Sequence, residues 1–292
     1  EINTKREILQ PYEEYAPGTG VSMTPLEKLE GIITPNGLHF ERSHNGIPAI
    51  DPLQHELLIH GLVERPLIFK TEDLLKYPMQ TRTYFIECAG NSFYNSNAFP
   101  IAVDRTCGTI HGLISTSEWT GIPLKLILSE AGIKKEAKWI LAEGSDAAAM
   151  SRSIPLEKAL DDILIALYQN GERIRPEQGY PMRLVVPGWE GNINIKWLRR
   201  IKITKFPTHT KDETSKYSDL LPNGKSLQFT FPMEVKSVIT QPSAGSKLLK
   251  KGPKHITGLA WSGFGKITKV EISTDKGKTW KLAILEGNNQ PL

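Results

Sequence analysis

Arg82-Thr83-Tyr84-Phe85-Ile86-Glu87-Cys88-Ala89-Gly90-Asn91 runs from a β-favouring stretch straight into a cysteine and a turn of small residues. Thr83 to Ile86 carry the branched and aromatic side chains that suit a pleated surface, so a strand is predicted there. Ala89-Gly90-Asn91 then forms a turn where backbone can come close to a ligand. A cysteine delivered in this way is either a small buried hydrophobe or a functional residue, and spacing alone leaves both open. Cys107 lacks such a setting and reads as core or loop filler.

Further strands are predicted over Leu57–Val63, Trp139–Ala142, Ile163–Leu167, Arg183–Gly188 and Lys196–Ile203. Helices are predicted from Thr71, with Thr71 as N-cap and acids in the first turn, over Leu124–Ala131 closed by Gly132, and from Ser153. Residues 1 to about 50 show little periodicity and read as an irregular arm, and 204 to about 232 read as a linker. From Val235 short strands alternate with turns, and Asp275-Lys276-Gly277-Lys278 marks a hairpin. That spacing suggests a β-sandwich, but four strands are too few to close one, so the chain is expected to stop part-way through it at Leu292. The expected division is 1–232 and 233–292.

A net charge of +4 over 292 residues gives no reason to expect nucleic acid. Lys247 to Lys254 holds four lysines and reads as a solvated loop. No apolar run reaches the length of a membrane span. The N-terminus has no hydrophobic segment and no initiator Met, so a signal peptide is expected to be absent or removed. Cys88 and Cys107 cannot build a disulfide scaffold, though one bridge or a free pair both stay open. The seven histidines show no zinc spacing. No dinucleotide, P-loop or Gly-x-Ser-x-Gly pattern occurs.

Taken in order, several stretches resemble the sulfite oxidase family of molybdopterin enzymes. They are Phe40–His44 with Ile47-Pro48, Glu87–Asn91, Gly112–Gly121, Gly179–Gly188, Lys196–Arg200 and Ser237–Pro242, spread over roughly residues 38 to 285. The resemblance implies an α+β chain, with a mixed α/β molybdopterin-binding domain followed by an immunoglobulin-like dimerisation domain. Glu213–Tyr217 and Gln228–Phe231 look, within that family, like the molybdenum subunits of Sox-system sulfane dehydrogenases.

The same resemblance implies the site. Cys88 matches the molybdenum thiolate, and a soft sulfur suits such a metal. Phe40, Arg42, Ser43 and His44 match the loop lining pterin and metal, with Arg42 also facing substrate. Asp146, Arg183, Asn194 and Lys196 match positions that hold the pterin and its phosphate, and Gln178 stands where some members have His. Tyr217 matches the active-site tyrosine and Trp119 a pocket-wall tryptophan. Ser92 and Phe93 replace two arginines, which implies a more apolar wall at Phe93 and weaker binding of free sulfite.

The implied cofactor is Mo-molybdopterin, one molybdenum per chain. No Cys-x-x-Cys-His occurs, so no haem is expected in this chain. The implied activity is molybdenum-dependent oxidation of sulfur on a carrier-protein cysteine, with electrons passed to a c-type cytochrome. Alternatives are a sulfite dehydrogenase, a reductase of oxidised methionine and a non-catalytic binding subunit. A sulfur-carrier protein, a homodimer or heterotetramer, and a periplasmic location complete the expectations.

Overall fold

Two five-stranded sheets carry the first part of the chain. The computed structural model describes residues 7–10, 20–95, 105–244 and 252–286. The first sheet has the order Glu172–Arg173, Leu164–Gln169, Ile114–Pro123, Gln80–Glu87, with Arg183–Val185 also paired to Leu164–Gln169, all antiparallel. The second has the order Leu67–Lys70, Glu56–Gly61, Leu198–Thr204, Trp139–Gly144, Ser151–Pro155, and only Glu56–Gly61 and Leu198–Thr204 run parallel.

Period-two alternation assigns the side chains of the first sheet to two cores. Ile165, Leu167 and Leu184 point into the main core with Leu57, Ile59, Ile140, Ile154 and Ile201 of the second sheet. Leu164, Ala166 and Val185 point the other way, onto Phe40, Tyr84, Ile86 and Trp119. Covered on both faces, Leu164–Gln169 is apolar almost throughout. The helix Leu124–Ala131 buries Leu124, Ile127, Leu128 and Ala131, a helical stripe that completes the main core. Gly132 ends it with φ +71.

Four sequence expectations need correction. The first fifty residues include an antiparallel sheet of Glu7–Gln10, Gly20–Met23 and Glu41–Ser43, so Arg42 is held by a strand. Its short strands carry too few residues to show a period. The helix Thr71–Leu74 starts at Thr71 rather than being capped by it; the Asp73 carboxylate accepts from the Lys70 N–H at 3.0 Å. Ser153 lies in the strand Ser151–Pro155, and the helix begins at Leu156. Residues 204–232 are no linker. They form a helix, Lys211–Lys216, and a hairpin, Ser218–Leu220 with Ser226–Gln228, anchored by buried Glu213 and Phe229.

The C-terminal strands pair as two ladders among the described residues, Lys236–Gln241 with Thr257–Trp261 and Glu271–Ile272 with Lys281–Leu282. In the turn of the second, the Asp275 carboxylate accepts from Thr279 N at 2.9 Å and Thr279 Oγ1 at 2.6 Å. Trp261 joins Leu26, Cys107 and Ile114 in an apolar cluster that attaches the first ladder to the rest. Cys107 is therefore core filler, and both cysteines are free. The lysines from 247 to 251 and the chain end at Leu292 lie outside the described residues. No described helix is long and apolar enough to cross a membrane.

Candidate active site

Strand ends and tight turns from several regions of the chain meet around one cavity. The strand Gln80–Glu87 ends by delivering Cys88 to it, and Glu41–Ser43 delivers Arg42, Ser43 and, just beyond, His44. The 3-10 turns Pro176–Gln178 and Gly191–Ile193 bring Gln178 and Asn192, followed by Asn194 and Lys196. Asp146, Arg183 and Tyr217 close the wall.

Cys88 is partly buried and donates its backbone N–H to Leu113 O at 2.9 Å. Burial pushes its thiol up, opposed by a hydrogen bond from the Gly90 backbone and by the charge of Arg42. Burial, Arg42 and Lys216 push His44 down to about 4, so it is neutral at ordinary pH. Tyr217 is pushed up to about 12, again chiefly by burial, and remains a phenol that can donate.

The cations behind the cavity are partnered by neutral oxygens. Arg183 is 3% exposed and donates to Gln178 O at 2.9 Å, Asn194 O at 3.0 Å and Leu184 O at 3.3 Å. Burial pushes it down to about 9. Lys196 Nζ donates to Glu177 O at 2.9 Å and Ser43 Oγ at 3.0 Å, and burial pushes it down to about 7. A desolvated cation held by carbonyls is stabilised by any anion that enters beside it.

These residues fit the implied cofactor. Arg183 and Lys196 suit a phosphate, and Cys88 offers one soft sulfur to a metal. Among the described residues no three His, Cys, Asp or Glu side chains converge on one point, so the other ligands would come from the pterin.

Eleven of the expected site residues share the cavity: Phe40, Arg42, Ser43, His44, Cys88, Asp146, Gln178, Arg183, Asn194, Lys196 and Tyr217. Several have their polar atoms engaged in the protein. Asp146 Oδ1 accepts from Met150 N at 2.8 Å, the turn expected of a loop acid. Asn194 Oδ1 accepts from Val186 N at 2.7 Å, and its amide donates to Glu190 O at 3.0 Å. Gln178 Nε2 donates to Phe40 O at 2.9 Å.

Two residues do not reach the cavity. Trp119 is fully buried, with its ring 5.1 Å below the Arg183 guanidinium, so it supports that cation instead of forming the wall. Phe93 is 57% exposed on a short turn beyond Asn91 and is not among the described residues that line this cavity.

Sequence reasoning missed Arg152. Its side chain is fully buried, 3.5 Å from Glu213 and 3.8 Å from Glu190, with its guanidinium 4.5 Å from the centre of the Tyr217 ring. A lone arginine between two serines gave no local signal, because its partners lie 38 and 61 residues away in the chain.

Residues 44–211 match the oxidoreductase molybdopterin binding domain, and residues 228–292 match the Mo-co oxidoreductase dimerisation domain. Mitochondrial sulfite oxidase of Mus musculus is 32% identical over 280 residues, covering 89% of this chain and 50% of its own length. NADH nitrate reductase of Cichorium intybus is 33% identical, covering 92% of this chain and 33% of its own. This chain thus spans half or less of those two relatives. The crystal structure of the sulfane dehydrogenase SoxCD from Paracoccus pantotrophus superposes with a TM-score of 0.93 at 45% identity, covering 98% of this chain and 73% of that one. A strand-borne cysteine and two buried cations around one cavity, on a fold matched over nearly its whole length, place this chain in the family of oxidoreductases with a molybdopterin-binding domain.

Proposed function

We propose that this chain is the molybdenum-bearing part of an enzyme that oxidises sulfane sulfur carried on a protein cysteine. The observation that carries the proposal is the convergence of Cys88, Arg42, Tyr217 and the buried cations Arg183 and Lys196 on one cavity. Arg183 and Lys196 would hold the cofactor's phosphate, Phe40 to His44 would line the pterin, and Cys88 would ligate one molybdenum. The bound group supplies two-electron oxidation chemistry that no side chain here can provide. Arg42 orients the substrate, and the Tyr217 phenol donates a hydrogen bond near the reacting oxygen. Residues 1–232 would form the catalytic domain and 233–292 part of the dimerisation domain.

Charge favours sulfane sulfur over free sulfite. Ser92 and Phe93 add no cation, and the charge of Arg152 is compensated by Glu190 and Glu213. Among the described residues, Arg42 is the cation whose charge acts on Cys88. A small dianion in a dry pocket calls for clustered positive charge. We further propose that electrons leave to a c-type cytochrome, that the assembly is a homodimer or heterotetramer, and that it works in the periplasm.

The test offers sulfite and a carrier-bound persulfide in parallel, with cytochrome c reduction followed optically. Turnover on the carrier is expected to exceed that on sulfite by on the order of tenfold, the size of one lost charge contact. Rapid turnover of sulfite with none on the carrier would sink the sulfane assignment. A molybdenum content near zero in protein from a cofactor-competent host would instead favour a non-catalytic binding subunit.

A further inference from the structure

Glu87, immediately before Cys88, carries a fully buried carboxylate. Three donors converge on it. Oε1 accepts from Lys236 Nζ at 2.7 Å and from Asn91 Nδ2 at 3.0 Å, and Oε2 accepts from Trp261 Nε1 at 2.6 Å. Lys236 and Trp261 stand directly opposite each other in the ladder of Lys236–Gln241 with Thr257–Trp261. One cross-strand pair of the C-terminal part therefore grips the residue that precedes the cysteine.

The far end of the turn is tied into the same contact. Asn91 Oδ1 accepts from Leu113 N and Ser92 N, both at 3.1 Å, while its amide donates to Glu87. Backbone closes the other side: a Cβ at Gly191 would lie 2.9 Å from Glu87 O and 3.4 Å from Cys88 Cα. Cys88 thus sits in a turn fixed at both ends and packed from behind.

A buried ion pair is a weak source of stability, since apolar residues of similar volume often serve as well. What a carboxylate adds is direction. It is acceptor-only at both oxygens, which matches three donors arriving from different elements. We propose that Glu87 is a positioning residue for Cys88, orienting the thiol through the docked Lys236–Trp261 pair. The proposal rests on the reading of Cys88 as the molybdenum thiolate. Docking of the C-terminal ladder is then part of assembling the metal site.

Glu87→Gln and Lys236→Met test it in the full chain by two measurements. Glu87→Gln sets an amide N–H against one of the converging donors, and Lys236→Met removes one donor. Amide hydrogen exchange in the turn following Glu87 should accelerate roughly tenfold in each variant, while the strand Glu56–Gly61 exchanges as in the wild type. The paramagnetic resonance spectrum of the molybdenum-loaded variants should also shift, because it senses the orientation of the thiolate. Should Glu87→Gln fail to fold, Lys236→Met decides alone. Wild-type exchange in the turn, a wild-type spectrum, or acceleration spread equally to Glu56–Gly61 would each overturn the proposal. Cys88→Ser separates the two layers. An unchanged spectrum in that variant removes the ligand reading of Cys88, whereas a changed one leaves the Glu87 and Lys236 results to judge the positioning role.

Discussion

Arg183 and Lys196 are cations kept from water that donate to carbonyl and hydroxyl oxygens, so an anion arriving beside them is favoured. Lys196→Met is expected to lower cofactor retention about tenfold to a hundredfold, the worth of one charge-assisted contact, as read by molybdenum per chain. Cys88→Ser is expected to abolish turnover, and unchanged kcat in that variant would refute its role as ligand. His44 offers a test in the cofactor-free protein. Its folded value of about 4 lies below the ordinary 6.5, so between the two the unfolded chain takes up a proton that the folded chain refuses. The associated stability is present above about pH 6.5 and is lost as pH falls towards 4. Melting curves at pH 7 and pH 5 should show a larger loss in the wild type than in His44→Gln.

The helix Lys211–Lys216 shows how an element with no apolar stripe is held in place. Its Thr210 and Glu213 form a capping box, and the Glu213 carboxylate also accepts from Ser153 N and Ser153 Oγ and faces Arg152. Tyr217 follows directly at its C-terminus, so this one buried acid fixes where the phenol stands. Glu213→Ala leaves Arg152 with Glu190 at 3.8 Å and should cost about 3–5 kcal/mol, measured by urea unfolding. A loss under 1 kcal/mol would show that the pair does not anchor the helix. Between the sheet strands the limit is steric. A Cβ at Gly121 would lie 2.1 Å from Ile165 O, so Gly121→Ala should force the strands apart and cost on the order of 3 kcal/mol in the same assay.

Across the whole molecule, the C-terminal ladder meets the first part through a small apolar cluster around Trp261 and through the indole's hydrogen bond to Glu87. Trp261→Phe keeps most of the apolar contact but leaves one buried carboxylate oxygen without its donor, at a cost of about 1–3 kcal/mol. Limited proteolysis should then cut the variant faster than the wild type between the two parts; equal rates would argue against this contact as the tie. Local patterning in the chain determined the buried strands, the helix Leu124–Ala131 with its Gly132 stop, and the placing of Cys88 at a strand end, because periodicity and turn chemistry are properties of neighbouring residues. Which residues face the cavity was decided only in three dimensions. Trp119 sits beneath Arg183 and the region from 204 to 232 is anchored through Glu213, both by contacts with partners remote in sequence. The roles of Arg152 and Glu87 were not legible for the same reason: the value of a buried charge depends on what surrounds it, and that is set by the packing of elements distant along the chain.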